Sequence, residues 1–234
     1  MDILKILSNI FLFQRCPLCG DLLFYNSSEI LCKFCTDLIT VKNISSDPNY
    51  CNQCGIPLIS ESDKCLRCRT TEINYISNRS LFRYSGEIKE LIYQYKFKGQ
   101  KDISLFFAKL ISEYIFRNNL KDIIVPVPGR KIVKREQGWE HIDLIANILS
   151  KKYKIPLIKL LRRSGKKAQK TLNIEKRALN LRNSITVAKN IKTVPDSVIL
   201  LDDVFTTGTT INECALVLKQ AGVKKVSSLT IAID

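Results

Sequence analysis

The 234-residue sequence contains one histidine, one methionine and one tryptophan. A lone histidine is more often structural than catalytic, so His141 is not assigned the role of a general base. No Gly-Lys-Ser or Gly-Lys-Thr element is present, which excludes a nucleoside-triphosphate P-loop. No cysteine stands at the N-terminus to act as a nucleophile, which disfavours a glutamine-dependent amidotransferase.

Long apolar runs are also missing, and none approaches the ~20 residues that would span a bilayer. The segment Met1–Phe13 is apolar, but it carries Asp2 and Lys5 and has no small-residue cleavage site. We therefore expect a short helix that docks on the rest of the protein rather than a signal peptide. A weak membrane contact is the alternative. The length allows one main domain and a small extra one.

Acidic residues are scarce relative to basic ones, with 22 Asp and Glu against 37 Lys and Arg, for a formal net charge of +15. The excess is concentrated in residues 130–182, which hold 16 basic and 4 acidic side chains. Such a local field attracts polyanions or pyrophosphate. The alternative is that a lysine-rich composition has placed solvated lysines there.

Nine cysteines are present, and eight of them fall in four Cys-x-x-Cys pairs. This spacing is typical of zinc knuckles and indicates a reducing compartment rather than a disulfide framework. Four thiolates around one ion form a closed structural site. We favour consecutive grouping, with crossed pairing left open; the ligands are then Cys16, Cys19, Cys32 and Cys35 for one zinc ion and Cys51, Cys54, Cys65 and Cys68 for the other. The ninth cysteine, Cys214, is expected to be a core residue.

The stretch Val198–Thr210 carries the most specific chemistry. Its apolar start, Val198–Leu201, predicts a buried strand; two acids and a hydroxyl-rich loop follow, and a helix is expected over Ile211–Ala221. A loop that leads into a helix N-terminus is suited to holding a phosphate. The adjacent acids, Asp202 and Asp203, would hold sugar hydroxyls or a hydrated Mg²⁺. An ordinary strand–turn–helix with Asp203 as a cap is the alternative.

Elsewhere the pattern alternates between strands and helices. Residues 69–78 are interpreted as a linker, and helical spacing is found in Ile88–Tyr95 and Ile103–Arg117. Ile123–Pro128 predicts a strand ending in a stiff turn, and the next strand is predicted over Pro156–Leu161. The basic loop after that strand is a candidate pyrophosphate clamp through Arg130, Lys131 and Arg135. A second basic loop, Arg162–Lys170, is either a mobile lid or a solvated connection. Together these elements predict an α/β domain with a mainly parallel sheet.

The stretch Val198–Thr210 resembles the phosphoribosyl-pyrophosphate (PRPP) binding motif of type I phosphoribosyltransferases, in order and in spacing. In that family the two acids contact the ribose hydroxyls and the threonine-rich loop wraps the 5-phosphate. The resemblance therefore implies a PRPP site, with Mg²⁺ as its companion ion, made of Asp202, Asp203, Thr206, Thr207, Gly208, Thr209 and Thr210.

The chain as a whole resembles the ComF/GntX family, the competence protein F group of bacteria. That branch combines a double zinc knuckle with further motifs found here in order: Tyr95–Gly99, Val125–Pro128, a basic run before Gly138-Trp139, Gln169 and Asn180–Arg182. The resemblance implies a type I phosphoribosyltransferase-like fold with an N-terminal zinc ribbon and a cytoplasmic location. In some members it also implies a link to DNA uptake.

One position departs from the family pattern. Trp139 is followed by Glu140-His141, where the family usually has Asn-Gln. If this element shapes the acceptor side of the pocket, the acceptor differs or activity is lost.

We expect two domains, a zinc module in residues 1–78 and a phosphoribosyltransferase-like domain in residues 79–234. The first functional hypothesis is a phosphoribosyltransferase whose acceptor the sequence does not identify. The second is a non-enzymatic protein that senses PRPP and binds single-stranded DNA, in contact with a DNA-uptake machinery.

Overall fold

A computed structural model describes residues 13–24, 29–59, 63–129, 139–163, 184–188, 191 and 193–234. The predicted N-terminal docking helix lies almost wholly outside these residues. So do the pyrophosphate candidates Arg130, Lys131 and Arg135, most of the second basic loop, and the family motif residues Gln169 and Asn180–Arg182.

The centre of the molecule is a four-stranded parallel sheet. Its order is β3 (Asn78–Arg83), β8 (Lys225–Ile233), β7 (Ser197–Phe205) and β4 (Ile123–Pro126). The prediction of an α/β domain with a mainly parallel sheet is confirmed. Strand β7 is longer than the apolar run suggests, because it continues through both aspartates to Phe205.

Helices connect the parallel strands, as parallel pairing requires. Between β3 and β4 lie α3 (Gly86–Phe97) and α4 (Ile103–Arg117), with α5 (His141–Tyr153) after β4 and α6 (Thr209–Gln220) between β7 and β8. The helix predicted over Ile103–Arg117 is confirmed at both ends.

The segment after α5 differs from the sequence prediction of a strand over residues 156–161. Leu157 forms a single parallel bridge with Ile124. The strand β5 runs from Leu161 to Arg163 and pairs antiparallel with β6, Ile185–Val187.

The zinc module begins with a short antiparallel pair, β1 (Phe13–Arg15) and β2 (Leu22–Phe24), followed by α1 (Lys33–Val41) and α2 (Leu66–Thr70). Strand β3 starts at Asn78, next to the boundary that we expect between the two domains. Whether the two parts are independent domains stays a prediction.

Alternate residues of β7 face two different hydrophobic clusters, as strand geometry requires. Ile199 and Leu201 pack in one cluster with α3, α4 and α5, while Val198 and Leu200 pack in the other with α6. Cys214 is fully buried on the α6 side, as predicted for a core residue. In the part of the chain that the structure describes, no helix combines the length and apolar composition needed to cross a membrane.

Candidate functional site

A cleft of about 610 Å³ lies at the carboxyl ends of β4 and β7. Ligands of open α/β sheets bind at this end of the strands. The cleft is lined by residues from several helices, strands and loops, namely Lys96, Phe97, Val127, Pro128, Gly129, Glu140, His141, Ile142, Arg163, Asp202, Asp203, Thr207, Thr209, Thr210 and Glu213.

Both acids of the pair, Asp202 and Asp203, belong to this lining. The side chain of Asp202 accepts a hydrogen bond from the Asp203 backbone N–H at 2.9 Å. Burial, and then the charge of Asp203, raise the pKa of Asp202 to about 7. Asp203 is balanced by Lys96, whose Nζ lies 2.7 Å from its Oδ2. Two carboxylates and an ammonium group so placed can accept hydroxyl hydrogen bonds and attract a cation or an anion.

The hydroxyl-rich loop follows directly and opens α6. Gly208 has a φ of +75°, and a Cβ atom there would lie 2.5 Å from the Phe205 ring, so only glycine fits. The hydroxyls of Thr207 and Thr209 lie 2.8 Å apart, and the helix begins at Thr209. Free N–H groups at a helix start, together with hydroxyl donors, suit a phosphate group.

His141, which lines the cleft, belongs to an aromatic group. His141 Nε2 lies 3.1 Å from the Lys96 carbonyl oxygen, and its ring contacts Trp139 and Tyr95 edge-on. Tyr95 donates its hydroxyl to the His141 carbonyl at 2.6 Å. Burial lowers the pKa of His141, so the imidazole is neutral at physiological pH. His141 is therefore a packed side chain, and its contacts hold Tyr95 and Trp139 in place.

Glu213 is a cleft residue that sequence reasoning missed. The residue is 7% exposed, and its Oε1 has no hydrogen-bond partner among the described residues. Burial raises the pKa of this carboxyl, partly offset by the charge of Arg163. A glutamate near the start of a helix gives little sequence signal, because such a residue is usually exposed.

The structure also brings the cysteines together in the consecutive grouping that we favoured. The ligand atoms of the first quartet, Cys16 with Cys19, Cys32 and Cys35, lie within 4.8 Å of one another, and those of the second quartet, Cys51 with Cys54, Cys65 and Cys68, do so as well.

Both quartets fit a zinc ion. Sulfurs at the corners of a tetrahedron with Zn–S bonds of ~2.3 Å are about 3.8 Å apart. The observed separations are 3.5 Å for Cys19 and Cys32 and 3.7 Å for Cys54 and Cys65. Each quartet can therefore hold one zinc ion.

Backbone N–H groups point at sulfurs of both quartets. In the first, the Cys35 N–H donates to the Cys32 sulfur at 3.4 Å. In the second, the Cys51 sulfur accepts from the N–H groups of Cys54 and Cys65 at 3.5 and 3.4 Å. Burial alone would raise the pKa of Cys51, but these donors outweigh it and lower the pKa to about 6. A thiolate, the form that binds metal, is thus favoured at this position.

The structure brings the acid pair together with Thr207, Thr209 and Thr210 of the loop in one cleft, whereas Thr206 and Gly208 are not part of its lining. The roles of all these residues as ligand contacts stay a prediction. Sequence reasoning missed Lys96 and Phe97, which line the same cleft. Both lie in the Tyr95–Gly99 motif, which carried the family resemblance without a role. This motif was therefore the sequence feature from which Lys96 and Phe97 could have been predicted as site residues.

The parallel sheet, with the acid pair and the hydroxyl-rich loop at its carboxyl edge, is the fold that the resemblance to type I phosphoribosyltransferases implies. The chain is 29% identical to competence protein F of Haemophilus influenzae, over 93% of this chain and 96% of that protein. It is 25% identical to competence protein ComFC of Streptococcus pneumoniae over 93% and 99% of the two chains. These similarities confirm the resemblance to the competence protein F group that the motifs indicated.

Two further comparisons cover less of the chain. DNA utilization protein YhgH of Escherichia coli is 25% identical over 76% of this chain and 81% of that protein. A crystal structure of adenine phosphoribosyltransferase aligns with a TM-score of 0.35 and 16% identity, covering 60% of this chain and 75% of that chain. No protein-family model matches the chain.

Proposed function

We propose that the cleft binds PRPP with Mg²⁺ and that the protein is a phosphoribosyltransferase of the cytoplasm. The observation that carries the proposal is the acid pair, Asp202 and Asp203, in one cleft with Thr207, Thr209 and Thr210 of the loop. The carboxylates would accept hydrogen bonds from the two ribose hydroxyls, and the loop would donate to the 5-phosphate.

In such a reaction the protein mainly positions the ribose and neutralises charge. Bound Mg²⁺ would neutralise the leaving pyrophosphate. Arg130, Lys131 and Arg135, outside the described residues, remain the proposed cationic contacts on that side. Lys96 holds Asp203 in place through its 2.7 Å ion pair. The departure from the family pattern at Glu140 and His141 leaves the acceptor unassigned.

Calorimetric titration with PRPP and Mg²⁺ tests the binding. The double change Asp202→Asn and Asp203→Asn keeps the side-chain size but removes the charges, and we expect it to abolish binding while the fold survives. Wild-type affinity in the double variant would show that the ligand is held elsewhere. Release of pyrophosphate with a panel of candidate nucleobases then separates an enzyme from a protein that only binds PRPP.

A second candidate function is single-strand binding without catalysis, and an exposed aromatic pair that includes the cleft residue Phe97 favours it. The rings of Tyr93 and Phe97 lie 5.3 Å apart, 43% and 65% exposed. Lys98 Nζ lies 5.8 Å from the centre of the Tyr93 ring. Exposed rings beside cations are the two components of single-strand binding. The names of the relatives, competence and DNA utilization, also suggest contact with DNA.

Two sets of variants locate such a surface. Tyr93→Ala with Phe97→Ala removes the rings, and changing Lys151, Lys152 and Lys154 to glutamate reverses the charge at the far end of α5. We expect both to weaken oligonucleotide binding, and the lysine changes to leave PRPP binding intact. Wild-type binding should fall with salt by a log–log slope of about −0.7 per phosphate contact. No oligonucleotide binding by the wild type at low salt would end this candidate.

A further inference from the structure

A hydrogen bond joins α2, the helix that contains Cys68 of the second quartet, to the loop Thr206–Thr210. Arg67 lies in α2, between Cys65 and Cys68, and its Nη1 donates to the Thr206 carbonyl oxygen at 2.8 Å. The two residues are 139 positions apart in the chain. A side chain of the zinc module thus holds the first residue of the proposed phosphate loop.

Chain position ties Arg67 to the second quartet. It lies in α2 between two of the proposed zinc ligands, Cys65 and Cys68, so the quartet fixes the helix that presents the guanidinium to the loop. A guanidinium carries five N–H donors in a planar fork, which suits it to a backbone carbonyl oxygen. Arg67 is therefore a bridge between the quartet and the loop.

The floor of the loop belongs to the same cluster as the quartet. The Phe205 ring, which lies against Gly208, is 2% exposed and packs with Cys51, Cys54 and Cys68. The Arg67 guanidinium carbon lies 5.7 Å from the centre of that ring, within cation–π range. The loop thus rests on a surface that the zinc module partly builds.

A second link fixes the other end of the loop. The Asn74 backbone N–H donates to Asn212 Oδ1 at 2.6 Å, and Asn212 Nδ2 donates to the Glu72 carbonyl at 3.1 Å. Asn212 lies in the first turn of α6, where its own backbone N–H donates to the Gly208 carbonyl at 2.8 Å. The segment that follows the quartet is therefore bonded to the helix start.

We propose that Arg67 is a positioning residue for the loop that takes the 5-phosphate of a sugar phosphate, and that the second quartet controls this affinity while the first does not. The inference rests on the proposed function. Linkage is reciprocal, so a ligand that orders the loop should also stabilise the metal in the second quartet.

Ribose 5-phosphate is the probe, titrated into the full-length zinc-loaded protein by calorimetry. Because a hydrogen bond from a charged donor is lost, we expect Arg67→Gln to weaken its affinity about tenfold, with zinc content and thermal unfolding close to wild type. Arg69→Gln is the matched control, since Arg69 lies on the same helix and bonds to the Lys64 carbonyl instead. Equal affinity in the Arg67 variant and the wild type would overturn the inference.

Zinc release to a colorimetric chelator gives a second readout, which a general loss of stability would not reproduce. Saturating ribose 5-phosphate should slow the release of one of two zinc equivalents in the wild type, and this protection should disappear in Arg67→Gln. Protection of both ions, of neither, or undiminished protection in the variant would overturn the inference. If the wild type binds neither PRPP nor ribose 5-phosphate, the proposed function fails as well.

Discussion

The two cysteine quartets have nearly the same spacing but lie on opposite faces of the sheet. Cys16 and Cys35 pack in the cluster of α3, α4 and α5, whereas Cys51, Cys54 and Cys68 pack in the cluster of α6. The first quartet has an exposed member, Cys19, while three members of the second are buried. A zinc knuckle signature therefore identifies a metal site without indicating what that site supports.

The two quartets also differ in the part of the protein to which their segments are bonded. The segment that carries the first quartet is joined to α3 in two ways. Gln94 donates a hydrogen bond to the Pro17 carbonyl oxygen at 2.7 Å, and Lys42 forms an ion pair with Glu87. The segment of the second quartet is bonded to the phosphate loop itself through Arg67. The segment of the first quartet is thus attached to a helix, whereas that of the second is attached to the loop that lines the candidate site.

The largest expected effect comes from removing one ligand of each quartet. Cys51→Ser should release one of two zinc ions and lower the free energy of unfolding by more than about 3 kcal/mol, because structural zinc contributes folding free energy directly. Cys19→Ser should also release one ion, with a smaller loss, since Cys19 is exposed. Elemental analysis and urea unfolding measure both quantities. Equal losses would contradict the asymmetry between the quartets.

The glycines that follow Cys19 and Cys54 provide a smaller, sharper test. Gly20 and Gly55 have φ angles of +80° and +78°, so alanine is strained at either position. A Cβ atom at Gly20 meets nothing within 4 Å, whereas at Gly55 it would lie 2.6 Å from the Asn78 carbonyl oxygen.

We therefore expect Gly20→Ala to cost about 1 kcal/mol, as left-handed backbone does for a non-glycine residue. Gly55→Ala should cost roughly 3 kcal/mol, because backbone strain and a clash add up. Thermal unfolding of the two variants gives the difference. If Gly20→Ala lowered the free energy of unfolding as much as Gly55→Ala does, the segment around the second quartet would be no more tightly packed than that around the first.

The smallest effect is expected at the ion pair between Lys42 and Glu87. Both side chains are partly exposed, at 43% and 32%, so replacing Lys42 with methionine should cost less than about 1 kcal/mol. The cost should shrink further in high salt, which screens exposed charges. Unfolding at low and high salt checks this, with ribose 5-phosphate affinity expected to stay unchanged.

Much of the fold was predictable, because it depends on local patterns. The spacing of apolar residues indicated the bounds of Ile103–Arg117, and the apolar run before Asp202 indicated a buried strand. Cysteine spacing indicated the metal sites, since vicinal ligands are close in the chain. These signals need no knowledge of distant contacts.

What the sequence did not reveal depends on distant segments. Arg67 is bonded to Thr206, and Lys96 is paired with Asp203. Each contact joins residues more than a hundred positions apart, so no local sequence pattern indicates it. Residues 69–78 were interpreted as a linker, yet Asn74 is bonded to Asn212 on α6. The same limit applies to the strand end at Phe205, which is set by pairing with Ile233.

The position of β8 between β3 and β7 has a consequence for synthesis. Strand β8 is built from residues 225–233, and it pairs with β3 from Asn78↔Ser228 to Arg83↔Ile233. During translation, β3 and the helices that follow it are therefore synthesised long before β8, the strand that joins β3 to β7. Contacts of such high sequence separation slow folding and leave strand edges open in the meantime. Until translation reaches Ile233, the unpaired edge of β3 needs protection from other chains.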